Sequence, residues 1–405
     1  MAATYITRGL EPVLKRAVKK FPAVVLTGPR QSGKTTLLRH AFGKSHAYVS
    51  LEPPDVRASA AEDPRGFLEM HAPPVMFDEV QYAPGLLPFV KERIDADRSA
   101  RGRYVLTGSQ NLLLAERVTE SLAGRAAMLR LLPLSRRETL GESRAVLPWE
   151  KGARPKAAIA NRELWQSLLV GGYPEPVSEP GRDIGLWHAS YVQTYLERDV
   201  RSLRQVGDLA AFQSFLRSLA ARSGQLLNMA DVARDLGIAL NTVKSWLSVL
   251  EATYQVVVLR PYFANVGKRL SKTPKVYFTD VGTLCYLTGL TATEQAASGP
   301  TAGAIFETAV LSEIVKTLVH RGEEPRVHFW RTSTGVEVDV LVECADGIVP
   351  VEVKTSTTPK PRMADSIRAF RADLGDKALP GYVVHPGDVS LPLGAGVKAI
   401  PFHAL

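Results

Sequence analysis

The chain has 405 residues, of which 45% are hydrophobic and 22% are charged, a composition that is ordinary for a globular protein. Its length exceeds the usual span of one hydrophobic core, so we expect two or three domains. No apolar run is long enough to cross a bilayer, and residues 1–8 lack the apolar core of a signal peptide. We therefore expect a cytoplasmic protein with no membrane partner.

The formal net charge of +9 favours a polyanionic partner such as DNA or RNA, although much of the excess is dispersed along the chain. One predicted loop concentrates it at Arg98, Arg101 and Arg103. The two cysteines, Cys285 and Cys344, lie in apolar sequence with no further Cys or His at metal-ligand spacing. This pattern predicts reduced packing residues and no structural zinc site.

The first predicted strand and helix flank a phosphate-binding loop. Residues 23–26 are apolar, residues 36–42 fit a helix, and the glycine-containing segment between them can point its N–H groups at an anion. We expect Lys34 to reach the β- and γ-phosphates of ATP and the Thr35 hydroxyl to coordinate Mg²⁺. The expected nucleotide-binding residues are Gly28, Pro29, Arg30, Gln31, Ser32, Gly33, Lys34, Thr35 and Thr36.

A second apolar strand, residues 74–77, ends in the adjacent carboxylates Asp78 and Glu79. One carboxylate could be an ordinary strand terminus, but two of them downstream of a phosphate-binding loop indicate a Walker B pair. Asp78 is expected to hold the Mg²⁺ shell, mostly through water, and Glu79 to position the attacking water. The pair predicts ATP hydrolysis and not binding alone.

A third apolar strand, residues 104–107, would bring its polar end beside the loop in a parallel sheet. We expect Ser109 to sense the γ-phosphate there, with Gln110 as the second choice. Arg125 is a candidate arginine finger, often supplied by a neighbouring subunit, and the alternative is a solvated surface arginine. A finger that acts in trans would require a homo-oligomer.

These motifs, with the segments at residues 121–125, 133–135, 171–176 and 191–200, resemble the AAA-type ATPases of bacteria and archaea that end in a domain of unknown function, DUF4143. The resemblance covers nearly the whole chain. It implies an α/β fold whose P-loop domain has a parallel sheet, together with ATP hydrolysis. It does not assign a biological process.

The chain divides into four predicted units. Residues 1–140 alternate strands and helices, which is typical of a parallel sheet covered on both faces. Residues 141–223 begin with a boundary loop and continue as a helical lid and connector. Residues 224–290 predict a winged helix-turn-helix, with a helix ending at Gly237, a second helix capped by Asn241, and two wing strands.

The winged helix is a candidate DNA contact. Its second helix offers Lys244 as the one obvious cation, beside Asn241, Thr242, Ser245 and Trp246. A helix that reads DNA usually carries more side chains suited to phosphates or base edges, so packing against a protein is an open alternative. DNA contact could come instead from the cations of the wing, which are Lys268, Arg269, Lys272 and Lys275.

Residues 291–405 carry a second constellation. Glu307 lies in a helical pattern, and strand alternation places Glu337 and Asp339 on one face and Glu352 and Lys354 on another. If these faces meet beside Glu307, three carboxylates and a lysine converge. Such a set suits a second Mg²⁺ or Mn²⁺ and the activation of water against a phosphodiester.

This arrangement resembles the PD-(D/E)xK nuclease superfamily, with Asp339, Glu352 and Lys354 as its motif and Glu307 as its helical acid. Val338 stands where the family pattern has proline. The alternative is a solvated, alternating face on two edge strands, and a retained fold need not retain chemistry.

Together these patterns predict Mg²⁺-dependent ATP hydrolysis coupled to DNA binding by the C-terminal modules. Two alternatives stay open. One is an ATP-regulated, metal-dependent DNA endonuclease, and the other is a nucleotide-gated scaffold that binds a protein partner and no nucleic acid.

Overall fold

The N-terminal part is an α/β unit built on a parallel sheet. The computed structural model describes residues 5–108, 122–153, 160–196, 208–263 and 273–405. Five parallel strands lie in the order β2-β3-β4-β1-β5. They are β1 (Ala23–Thr27), β2 (Ala47–Ser50), β3 (Val75–Asp78), β4 (Tyr104–Gly108) and β5 (Ala126–Arg130). The helices are α1 (Glu11–Lys20), α2 (Lys34–Phe42), α3 (Pro54–Glu62), α4 (Pro64–Met70), α5 (Leu87–Ala96) and α6 (Arg136–Thr139).

Both faces of this sheet are covered. Along β1, Ala23 and Val25 belong to one apolar cluster, while Val24 and Leu26 belong to another on the opposite face. Every residue of β1 is buried, as expected for a central parallel strand that reads as a continuous apolar run. The predicted α/β class with a parallel sheet is confirmed.

The middle of the chain is helical and ends in a strand pair. Its helices are α7 (Asn161–Val170), α8 (Pro174–Ser178), α9 (Ile184–Tyr191), α10 (Leu209–Ala221), α11 (Met229–Leu236) and α12 (Leu240–Ala252). The strands β6 (Val256–Leu259) and β7 (Lys275–Phe278) are antiparallel. The helices α10, α11 and α12 precede this pair in the chain, and the winged helix stays a prediction.

Two details of this region differ from the sequence prediction. Asn241 does not cap α12, because the helix begins at Leu240 and its N-cap is Ala239. Trp246 does not face solvent, since its ring packs edge-on against Phe212 at 5.2 Å and lies 5.4 Å from Phe215. Gly237 ends α11 with a left-handed φ of 66°, as predicted.

The C-terminal part combines helices with a six-stranded mixed sheet in the order β12-β13-β11-β10-β9-β8. The helices are α13 (Val281–Leu287), α14 (Thr293–Ser298), α15 (Ala302–His320) and α16 (Asp365–Leu374). The strands are β8 (Val327–Arg331), β9 (Glu337–Cys344), β10 (Gly347–Val353), β11 (Gly381–His385), β12 (Leu391–Gly394) and β13 (Val397–Pro401).

One apolar cluster joins the middle and C-terminal parts. It contains Leu164 of α7, Phe212 of α10, Phe306 of α15 and Val351 of β10. Helix α15 lies within this core, and 16 of its residues are buried. The predicted boundaries at residues 223 and 290 therefore fall inside a shared core and stay predictions. No helix in the described part of the chain combines the length and apolarity needed to cross a membrane.

Candidate nucleotide-binding site

The loop after β1 has the backbone that an anion cradle needs. Gly28 has a φ of 149°, and a Cβ there would lie 2.1 Å from the carbonyl oxygen of Leu131, so only glycine fits. Gly33 has a left-handed φ of 89° and precedes α2, which directs the helix N-terminus toward the loop. The sequence prediction and the structure agree on this strand, loop and helix.

Lys34 lies across this loop. Its ammonium donates to the carbonyl oxygens of Gly28, at 3.0 Å, and Pro29, at 2.8 Å. The Ser32 hydroxyl is buried and has no hydrogen-bond partner among the described residues. A buried hydroxyl left without a partner beside a cation fits a loop that binds an oxyanion.

Asp78 is held by three hydroxyl groups. Its Oδ2 accepts hydrogen bonds from Thr35 at 2.7 Å and Tyr48 at 2.6 Å, and its Oδ1 accepts one from Thr107. Burial and the contact with Asp78 raise the pKa of Tyr48 to about 12, so this hydroxyl stays a donor at neutral pH. The hydroxyl of Thr35 and the carboxylate of Asp78 are hard oxygen ligands of the kind that Mg²⁺ prefers.

Glu79 is oriented from both its backbone and its side chain. Its φ of 58° is left-handed, which is uncommon for a residue other than glycine and concentrates at functional sites. Its N–H donates to the Thr107 hydroxyl at 3.1 Å, and the Gln81 amide donates to its carboxylate. The carboxylate is therefore held in one direction.

A cavity of about 440 Å³ lies at this edge of the sheet. Its wall combines Lys34, Thr35 and Glu79 with Arg8 from the N-terminal segment and Glu175 from α8. The volume is within the range of small-molecule sites. The sequence-predicted loop and Glu79 thus meet at one cavity, and helix α8 contributes to its wall.

Arg8 is a residue of this site that was not predicted from the sequence. This residue is buried, and its guanidinium donates to the Ser32 carbonyl at 2.7 Å, the Leu132 carbonyl at 2.6 Å and Glu138 Oε1 at 3.1 Å. Arg8 thereby fastens the phosphate-binding loop to the segment after β5. Arg8 precedes the first helix and belongs to no motif, so the sequence does not indicate this role. Tyr48, on a strand that was not predicted, and Thr107, at the carboxyl end of a predicted strand, were also missed.

Two further predictions concern residues downstream of β4. Ser109 and Gln110 lie outside the described residues, so the proposed γ-phosphate sensor stays a prediction. Arg125 lies beside the start of β1, where the Ala23 N–H donates to its carbonyl at 3.4 Å, and this is the edge opposite the loop. Its guanidinium binds both carboxylate oxygens of Asp95, at 2.7 and 2.9 Å. Arg125 could therefore act as a finger only on another subunit.

Three of the four predicted C-terminal acidic residues form ion pairs with lysines. Lys275 lies between Glu307, at 3.1 Å, and Glu337, and Tyr277 also donates to Glu307. Lys275 is buried, which corrects its prediction as a wing cation available to DNA. Burial opposes its charge, but the two carboxylates outweigh burial and raise the pKa of Lys275.

The other half of this cluster lies on the β9–β10 hairpin. Lys354 lies 2.5 Å from Glu352 Oε1, and the Val353 N–H donates to Asp339 at 2.7 Å. Burial raises the pKa of Asp339 well above its usual value, and repulsion from Glu352 and Glu307 adds to this shift. The residues thus converge as predicted. However, no group of three or more His, Cys, Asp or Glu within the described ranges is arranged to hold a metal ion, so a second Mg²⁺ or Mn²⁺ is not supported.

The predicted DNA contacts are only partly visible. Lys244 is exposed on α12. Lys268, Arg269 and Lys272 lie outside the described residues. Their contact with DNA stays a prediction.

Three family descriptions match consecutive parts of the chain. An AAA domain matches residues 20–140, a domain of unknown function (DUF8612) matches residues 161–294, and a second one (DUF4143) matches residues 302–405. Uncharacterized proteins of Mycobacterium bovis and Mycobacterium tuberculosis are each 32% identical to this chain over 389 residues, which is 96% of this chain and 82% of the relative.

Similar solved structures are distant. A Walker-type ATPase of Pyrococcus abyssi has 16% identity and a TM-score of 0.43, and the match covers 70% of this chain and 96% of that one. The Drosophila ORC bound to DNA has 13% identity and a TM-score of 0.24, with 68% and 84% covered. A signal-transduction ATPase with numerous domains from Pyrococcus horikoshii has 13% identity and a TM-score of 0.24, with 77% and 48% covered. At these TM-scores the likenesses carry no argument about activity.

Proposed function

Because the chain belongs to the family that joins an AAA domain to a C-terminal DUF4143 domain, we propose that it hydrolyses ATP with Mg²⁺ at the carboxyl edge of its parallel sheet. The observation that carries this proposal is the contact of the Thr35 hydroxyl with Asp78, at 2.7 Å, beside a loop that holds Lys34. It joins the two halves of an Mg²⁺-nucleotide site that lie 43 residues apart in sequence.

Each residue of the site has a part in this reaction. The loop N–H groups and Lys34 bind the phosphates, and Lys34 exchanges its bonds to loop carbonyls for bonds to phosphate oxygens. Thr35 and Asp78 hold Mg²⁺, which neutralises charge on the phosphate oxygens when bound. Glu79, oriented by Gln81, positions a water for attack on the γ-phosphorus.

We further propose that the nucleotide state governs DNA binding by residues 224–290. The helices α10 to α12, the β6–β7 pair and the net charge of +9 support this finer proposal. Phosphate contacts would make the affinity fall steeply as salt rises.

The test is steady-state phosphate release from ATP with Mg²⁺, with and without duplex DNA. Lys34→Ala should lower turnover at least about 100-fold, as expected when a charge contact to the transition state is lost. Lys44→Ala, which changes an exposed lysine just after α2, should leave turnover unchanged. Undiminished turnover in Lys34→Ala would overturn the ATPase proposal.

The measurements with DNA distinguish the coupled function from the endonuclease and scaffold alternatives. Stimulation of turnover by DNA, with salt-sensitive DNA binding in an anisotropy titration, would support the coupled function. Cutting of the DNA that Lys354→Ala abolishes would support the endonuclease alternative. Turnover that is indifferent to DNA, without salt-sensitive binding, would favour the protein-binding scaffold.

A further inference from the structure

We propose that a second cavity, between the AAA unit and helix α15, binds a small amphipathic anion that carries a carboxylate or phosphate head group on an apolar body. This site is distinct from the phosphate-binding loop, and the proposal does not depend on ATP hydrolysis. It follows from two cations, the buried Lys316 and the half-buried Arg136, whose hydrogen-bonding capacity the described residues leave unfilled.

The cavity has a volume of about 560 Å³. Its floor is formed by buried residues, including Leu134 of the segment after β5 and Lys316 of α15. Its mouth is formed by the exposed turn at residues 179–182 between α8 and α9. A ligand could therefore enter from solvent past this turn and reach the buried Lys316 at the floor of the cavity.

Lys316 is the first of the two cations. Its side chain is buried, and its ammonium, which has three donors, makes one hydrogen bond, to the Leu134 carbonyl at 3.2 Å. It forms no ion pair with any described residue. Burial lowers the pKa of Lys316, and the carboxylates of Asp280, Glu313 and Glu138 oppose this shift only in part. Gly172 keeps the space around the ammonium open, since a Cβ there would lie 3.1 Å from Nζ.

Arg136 is the second cation. One of its terminal nitrogens donates to the Ser167 hydroxyl at 2.7 Å, while its Nε is buried and has no partner among the described residues. The Glu313 carboxylate lines the same wall and already accepts hydrogen bonds from the backbone N–H groups of Arg136, at 2.7 Å, and Arg137, at 3.3 Å. It also lies 3.6 Å from the Arg137 guanidinium.

The charged side chains at the mouth of the cavity form ion pairs with each other. Arg182 lies 2.5 Å from Glu175 and 2.8 Å from Glu179. Lys316 and Arg136 are thus the cations of the cavity that form no ion pair with a described residue, and an anionic head group at the floor would offset the cost of their burial.

The rest of the cavity wall indicates what the ligand carries besides its anionic head group. Between floor and mouth it is mainly apolar, and Leu168, Val177, Ile184 and Phe402 contribute to it. An inorganic ion would leave this surface unfilled, so the fitting class is an anion with an apolar body. Leu134 and Glu179 border both this cavity and the nucleotide cavity, so a ligand here would lie next to the nucleotide.

The test uses the full chain with Lys34→Ala, so that phosphate probes cannot report binding at the loop. Phenyl phosphate and phenylacetate are titrated by calorimetry, with benzyl alcohol as the uncharged control. We expect one site for at least one of the anions and no binding of benzyl alcohol. Adding Lys316→Met or Arg136→Gln should weaken that binding at least about tenfold, because a charge-assisted hydrogen bond is lost. Arg182→Gln, which changes the paired cation at the mouth, should alter it less than about twofold.

The midpoint of thermal unfolding is a second measurement, and Lys316→Met should change it differently without and with the anion. Without ligand, Lys316→Met should raise the unfolding midpoint by about 1–3 °C, because it removes an unpaired buried charge. Adding the anion should raise the unfolding midpoint of the protein that retains Lys316. It should leave the midpoint of Lys316→Met unchanged. The proposal is overturned if neither anion binds, if benzyl alcohol binds equally well, or if folded Lys316→Met and Arg136→Gln bind the anion undiminished. Because the Lys34→Ala background cannot use the loop, these outcomes are separate from the fate of the ATPase proposal.

Discussion

At the scale of single residues, the two carboxylates at the end of β3 have different surroundings. Asp78 accepts three hydroxyl hydrogen bonds, whereas Glu79 is held by Gln81 and faces the nucleotide cavity. The first environment suits a metal-binding group and the second a group that positions water.

Glu79→Gln tests this division. The amide is isosteric but accepts protons poorly, so turnover should fall about 10²–10⁴-fold while ATP affinity stays near that of the wild type. Binding is measured with a fluorescent ATP analogue and turnover by phosphate release. Glu62→Gln, at an exposed position of α3, is the control and should change neither quantity. Sustained turnover in Glu79→Gln would remove Glu79 from this role.

At the scale of secondary-structure elements, sequence reasoning succeeded where the signal is local. The strand, loop and helix at residues 23–42 follow from an apolar run, glycines and a helical pattern, all within one segment. Asn241 was wrongly predicted as the cap because the N-cap lies two residues earlier, at Ala239. Trp246 was wrongly counted among the candidate contact residues because Phe212 and Phe215, from another helix, pack against its indole. Lys275 looked like a free cation because its partners are 32 and 62 residues further along the chain.

The link between α15 and the phosphate-binding loop could not be predicted from the sequence either, because it too depends on contacts between distant parts of the chain. Glu138 Oε1 lies 3.1 Å from both Arg8 Nε and His320 Nδ1, and it accepts the Gly9 N–H at 2.7 Å. These residues are far apart in sequence, and none belongs to a recognisable motif. At its other end, α15 carries Glu307, which contacts Lys275. The helix therefore spans from the nucleotide-binding unit to the C-terminal acidic cluster.

Glu138→Gln should weaken this link. Burial opposes the charge of Glu138, but Arg8 and His320 outweigh it and hold the pKa of the carboxyl far below its usual value of 4.5. The ion therefore contributes stability above pH 4.5 and loses it as the pH falls. We expect the variant to lose about 3–5 kcal/mol of unfolding free energy at pH 7, since it leaves Arg8 buried without its counter-ion, and to lose less at pH 4.

Urea unfolding followed by circular dichroism measures both values. Glu324→Gln is the matched control, because it removes an exposed ion pair with Arg130 that also joins the two parts of the chain. That change should cost less than about 1 kcal/mol. A loss that is equal in the two variants, or equal at both pH values, would contradict the assigned role of Glu138.

At the scale of the whole molecule, the position of Arg125 raises the question of assembly. The phosphate-binding loop follows the carboxyl end of β1, whereas Arg125 lies beside the start of that strand, roughly 15 Å away along the sheet. The guanidinium therefore cannot reach the nucleotide of its own subunit. Its pairing with Asp95 would have to open, or be shared, for it to contact a neighbour.

A complementation experiment decides between a finger and a structural ion pair. Arg125→Ala alone should lose about 10³-fold in turnover with ATP affinity retained, and Lys34→Ala alone should be inactive because its loop is disabled. In a mixed assembly, the Lys34→Ala subunit still supplies Arg125 to a neighbour whose loop is intact, so turnover should return in part. Arg98→Ala, which changes the other arginine that pairs with Asp95, is the control and should keep full activity. If the mixture stays inactive, or if Arg125→Ala loses ATP affinity as steeply as turnover, the ion pair with Asp95 is structural and no subunit contact is needed for hydrolysis.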